Sequence, residues 1–105
     1  MFELACTNEE KIEVIVTPRT STGAVAPIDG SVTVTVLSGE GTVEVSGQTT
    51  FWVISGLNPG DTEYLVEADA DLGDGVVTIS DIVKLHVAGA LAANFAFNAS
   101  APVPK

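Results

Sequence analysis

Residues 64–87, YLVEADADLGDGVVTISDIVKLHV, alternate apolar and polar side chains in two runs that meet at an acidic, glycine-containing loop. In the first run Tyr64, Val66, Ala68 and Ala70 share one parity, while Leu65, Glu67, Asp69 and Asp71 take the other. In the second, Val77, Ile79, Val83, Leu85 and Val87 oppose Thr78, Ser80, Lys84 and His86. A period of two belongs to a strand with one buried face and one wetted face. The buried positions are even on the first run and odd on the second, so the loop must hold an even number of residues. Pairing Asp71 with Val76 meets that demand and leaves Leu72-Gly73-Asp74-Gly75 as the turn, with glycines to take any positive φ. Asp81 then falls opposite Val66, at a position of inward parity where a buried, unpaired carboxylate is costly. A bulge at Ser80-Asp81, or a strand edge that lets the carboxylate escape to water, is expected there. The hairpin itself carries no reactive chemistry.

The chain before it supplies further short strands. Residues 11–17 alternate Ile12, Val14 and Val16 inward until Pro18 ends the run. Residues 19–30 are a connection rich in turn formers. Residues 31–37 set Val32, Val34 and Val36 against Thr33 and Thr35, and Ser38-Gly39-Glu40-Gly41 turns the chain into a short strand with Val43 and Val45. Residues 49–54, TTFWVI, are apolar on both parities, so Trp52 is expected in the core or under a covering tail. Ten glycines, five prolines and many valines and threonines suit such short strands and tight turns. At 105 residues there is room for a single domain with a modest core.

Residues 88–105, AGALAANFAFNASAPVPK, bear no charge before Lys105 yet hold Leu91, Phe95, Phe97 and Val103. Disordered tails are usually polar or charged. This one reads as an arm made to lie against a surface, extended and ending in Pro102-Val103-Pro104, with a helix through residues 90–97 as the alternative. The chain thus divides into a polar lead-in at 1–9, a sandwich at 10–88 and an apolar arm at 89–105. Leu91, Phe95, Phe97 and Val103, joined by Phe2 and Leu4 of the lead-in, are the expected partner-binding residues.

A net charge of −10 argues against nucleic acid, which demands a basic footprint, and suits a mutually repelling surface or a basic protein partner. No apolar run reaches the ~20 residues of a membrane helix. The start lacks the basic and apolar blocks of a secretory signal, so the protein is expected to be made and used without export. Cys6, the single cysteine, excludes an internal disulfide and reads as a small apolar residue.

Asp69, Asp71 and Asp74 invite a metal reading, but Gly73 and Ser80 stand where a calcium loop needs ligands. A solvated acidic turn is the better reading, and no metal or cofactor is expected. His86, the only histidine, lacks partners for a triad or a zinc site and reads as a strand-surface residue. No nucleophile elbow or phosphate loop is present. The chain is read as non-enzymatic.

Several short strands closing on a hairpin describe an all-β, immunoglobulin-like antiparallel sandwich of about seven strands. Residues 56–66, GLNPGDTEYLV, resemble the fibronectin type III turn L-x-P-G-x-x-Y-x-V, with one extra residue before the tyrosine. The resemblance implies that Tyr64 is a corner tyrosine whose hydroxyl bonds back to the turn's backbone. The segments KIEVIVTPRTSTGAVAPIDG and EADADLGDGVVTISDIVKLHVAG look like bacterial immunoglobulin-like domains, in particular the small ones of tailed-bacteriophage structural modules. That likeness spans roughly residues 11–87. It implies a virion structural protein: a capsid decoration (cement) protein that binds the major capsid protein. Such a protein would form a homo-oligomer or symmetric cluster on the capsid surface after synthesis in the host cytoplasm. The alternative is an adhesive domain that binds glycan or a host surface through tip loops around Asp29, Glu40 and Asp74, with calcium as an aid.

Overall fold

The computed structural model describes residues 1–71, 75–89 and 95–105, with the backbone alone at Asp71. Its strands are β1 (Phe2–Thr7), β2 (Lys11–Ile15), β3 (Ile28–Ser38), β4 (Thr42–Val45), β5 (Thr50–Ile54), β6 (Gly60–Asp71) and β7 (Val76–Ala88). They form a four-stranded sheet in the order β1-β7-β6-β3 and a three-stranded sheet in the order β2-β5-β4. The fold is all-β, in two sheets.

The hairpin has the register expected from parity. Gly60 pairs with Val87 and Asp71 with Val76, in one unbroken ladder. Asp81 does face Val66, but no bulge forms. The other expectation holds: the carboxylate escapes to water. β6 and β7 outrun the strands of the smaller sheet, whose longest members have five residues, so the inner face near Asp81 is uncovered. Asp81 instead accepts the Ile82 N–H at 2.7 Å and meets the Met1 amino group at 3.4 Å; that hydrogen bond, then the ammonium, hold its carboxyl below the usual range.

Residues 1–9 are more than a lead-in, because Phe2–Thr7 is a sheet strand. β1 lies parallel to β7, with Phe2 opposite Val83 and Thr7 opposite Ala88, so the larger sheet is mixed rather than wholly antiparallel. A tight turn then carries the chain into the other sheet. The Glu10 carboxylate accepts the Thr7 N–H at 2.8 Å, and the Glu10 carbonyl accepts the Ser55 hydroxyl at 2.7 Å. The expected connection at 19–30 is shorter than read, since β3 already starts at Ile28. The ladder with β6 slips between Asp29 and Thr33, where Gly30 adopts φ +83°.

Between the sheets lie Phe51, Val53, Tyr64 and Leu85, all fully buried, with Val14, Val32, Val66, Val83 and Val87 around them. Each such side chain contributes about 1.5–3 kcal/mol by leaving water. Tyr64 is structural, but not in the expected way. Its hydroxyl donates to the Thr42 carbonyl at 3.0 Å, across the sandwich on β4, rather than to the turn before β6. Burial pushes this phenol up to about 12, which keeps it a donor. Beside it Thr62, also buried, accepts the Gly41 N–H at 3.0 Å.

Trp52 is not in the core, and every described residue of the tail is exposed, so none of them is marked as its cover. Phe51 and Val53 take the inward parity of β5, which puts Trp52 on the outer face of the smaller sheet, half-buried. It is flanked in register by Glu13 and Glu44, and the Lys11 ammonium sits 4.6 Å from the ring centroid. The cation covers the ring where a second layer would otherwise be needed.

Candidate functional site

Residues 95–105 have no regular structure, and every one of them is exposed. Phe95 is 83% and Phe97 86% exposed, and Val103 is also open to water. The two phenyl rings are 5.8 Å apart, so the most apolar part of the arm touches chiefly itself. Leu91 lies outside the described residues, as does most of the alternative helix at 90–97. The molecule measures 82 × 29 × 23 Å. The longest strand accounts for about 43 Å of that at ~3.3 Å per residue. The described arm does not wrap the sandwich.

Of the two N-terminal candidates, only Phe2 reaches the surface. Leu4 turns inward and packs against the core. Phe2 instead lies at the open end of β1, on the rim of an apolar groove of about 380 Å³. The groove runs between the end of β2 and the overhanging hairpin, with Val16, Pro18, Ala68, Ile79 and Val83 in its lining. It exists because the larger sheet is longer than the smaller one. No single stretch of sequence signals it.

The outer face of the larger sheet carries a charged clasp centred on His86. Its Nδ1 lies 2.8 Å from Asp61 on β6 and its Nε2 3.3 Å from Glu3 on β1, while Lys84 of β7 approaches Asp61 at 3.6 Å. The hydrogen bond to Asp61, then that to Glu3, raises the imidazole above its ordinary 6.5, and the same bond holds Asp61 below its ordinary 3.8. A raised folded value means that the His86 contribution is complete below 6.5 and fades as pH climbs through the raised value. Asp61 works in the opposite sense, losing its contribution as pH falls through its lowered value. The clasp is therefore tightest between 3.8 and 6.5. Urea midpoints measured from pH 5.5 to 8.5 should decline for the wild type more steeply than for His86→Gln. Parallel declines would show that the clasp does not couple to folding.

Of the three carboxylates considered for a metal, only Asp69 has a described side chain. Asp69 accepts the Thr78 hydroxyl at 2.7 Å and pairs in register with Asp29, while Asp74 and the Asp71 side chain lie outside the described residues. Glu40 receives the Asn58 side-chain amide at 3.1 and 3.2 Å and pins two turns together. Among the described residues no three His, Cys, Asp or Glu side chains are grouped to hold a metal ion. Burial, helped by the charge of Glu10, pushes the Cys6 thiol up and away from its reactive thiolate form.

Comparison of the chain with protein-family models, with curated proteins and with solved structures finds no match. The surface itself must carry the functional reading. It offers an exposed aromatic arm, an apolar groove and an acidic body.

Proposed function

We propose that the protein is a non-enzymatic structural protein of a bacteriophage virion, a decoration (cement) protein. It docks on the major capsid protein and stabilises the shell. The fold underlying this reading is immunoglobulin-like. Strands β2, β5 and β4 in one sheet and β3, β6 and β7 in the other follow the immunoglobulin partition, with the first strand moved to the edge beside β7. The resemblance of residues 11–87 to phage domains of that type supplies the setting.

The observation that carries the docking role is the arm. Two phenylalanines held almost fully in water have no structural purpose in an isolated sandwich, and burying them on another surface would release their hydration cost. The body's fourteen carboxylates all precede residue 82, so the arm can approach a partner without bringing like charge to the contact.

Binding to expanded capsids, measured for the wild type and for the Phe95→Ser/Phe97→Ser variant, tests the role. Losing two buried phenyl groups at about 1.5–3 kcal/mol each should weaken binding by roughly a hundredfold or more. At concentrations where the protein is monomeric, the thermal midpoint should stay unchanged, because neither ring supports the sandwich. Equal binding by both proteins would remove the arm from the mechanism. No binding by either would remove the capsid.

A further inference from the structure

β7 has thirteen residues and β1 has six, so β1 flanks β7 only from Val83 to Ala88. On that side, residues 76–82 have no strand beside them among the described residues. The Ile82 N–H there is held by the carboxylate of Asp81, at 2.7 Å. Under this open lane lies the apolar groove. Val77 and Ile79 share the parity of the buried Val83 and Leu85, yet they are 61% and 39% exposed. A free strand edge above an uncovered apolar face is the setting in which an incoming strand adds to a sheet.

The chain also carries a segment of matching length and pattern. Residues 95–101, FAFNASA, place Phe95, Phe97, Ala99 and Ala101 on one parity and Ala96, Asn98 and Ser100 on the other. Seven alternating residues match the length of residues 76–82, a lane whose far end is already occupied in part, by the Asp81 carboxylate on the Ile82 N–H and by the Met1 amino group 3.4 Å from that carboxylate. The neighbouring Phe95 and Phe97 rings give one face of such a strand the bulk to fill the groove. The segment carries no charge, whereas two acidic bodies repel each other.

We infer that the arm of one copy adds as a strand beside residues 76–82 of a second copy, in line with β1, with Phe95 and Phe97 seated in the groove. This rests on reading the arm as a docking element, and it names another copy of the chain as a partner. The arm's own lane is a poor target. From Ala88 back to Ile82 is about 20 Å of strand. The six residues 89–94 leave seven steps between Ala88 and Phe95, at most about 25 Å when fully extended, with little left for passing around β1. The arm leaves the end of β7, and the lane opens towards its start. Copies therefore join head to tail, through two different surfaces, and make a ring wherever the rotation closes.

Sedimentation velocity over a concentration series, paired with amide hydrogen exchange of the full chain, tests this without any capsid. Mass should rise with concentration, and exchange at residues 76–82 should slow by about tenfold or more as it does. The Phe95→Ser/Phe97→Ser variant should stay monomeric and unprotected there. A protein monomeric at every concentration would overturn the inference. So would association that leaves residues 76–82 unprotected, or protection independent of concentration, which would place the arm in its own lane. These outcomes are separable from the capsid test, since an arm that binds shells but not sister subunits fails only here.

Discussion

Replacing Phe51 with alanine should lower the unfolding free energy by about 3–5 kcal/mol, and the thermal midpoint by roughly 20–30 °C. Phe51 is fully buried on β5, opposite Val14 on one side and Val45 on the other. In a domain whose whole stability is about 5–15 kcal/mol, that loss leaves a marginal fold. The informative control is the next residue. Trp52 is larger, but it sits on the outer face, where Lys11 covers its ring. Trp52→Ala should therefore cost less than half as much, with about 0.5–1 kcal/mol of it from the lost cation–ring contact. Paired melts decide the matter. Equal losses would mean that both faces of β5 are packed, contrary to the two-sheet arrangement.

The second large effect is expected at Gly39, in the turn between β3 and β4. Its φ is +94°, and an added Cβ would strike the Asp61 carbonyl oxygen and come within 2.7 Å of the Thr62 Cα. Both obstacles are backbone, so no side-chain rotation relieves the clash. Left-handed strain of about 1–2 kcal/mol and overpacking of about 1–3 kcal/mol should together make Gly39→Ala cost about 2–5 kcal/mol. Gly23 separates the two contributions. It has φ +90° with nothing within 4 Å of the same Cβ, so Gly23→Ala should show the strain alone. Urea unfolding of the pair measures the difference. Equal losses would mean that the turn yields to the intruding methyl.

The hairpin was legible because two independent constraints, side-chain parity and loop length, admit one register together. Its partner strands were legible for the same local reason. β1 was not, although Phe2, Leu4 and Cys6 do alternate with Glu3, Ala5 and Thr7. The glutamates and asparagine that follow gave the segment a polar look, and its pairing with β7 joins residues some 80 positions apart, which no local pattern encodes. Trp52 illustrates a different limit. When both parities of a strand are apolar, periodicity cannot say which one meets the other sheet. Tyr64 was recognised as structural, but its acceptor, the Thr42 carbonyl on another strand, depends on how the sheets face each other. For the site, composition marked the arm residues as surface-seeking. The groove arises from unequal strand lengths in the two sheets and the open lane from β1 being shorter than its neighbour β7, properties of the assembled layers alone.

The parallel pairing of β1 with β7 has a mechanical consequence. A force that pulls the arm outward while the start of the chain is anchored drags the two strands past each other along their length. All six residue pairs from Phe2–Val83 to Thr7–Ala88 then resist at once, in shear, instead of opening one by one like a zipper. Were the arm docked as proposed and the start of the chain held, that ladder would meet the pull in its more resistant direction.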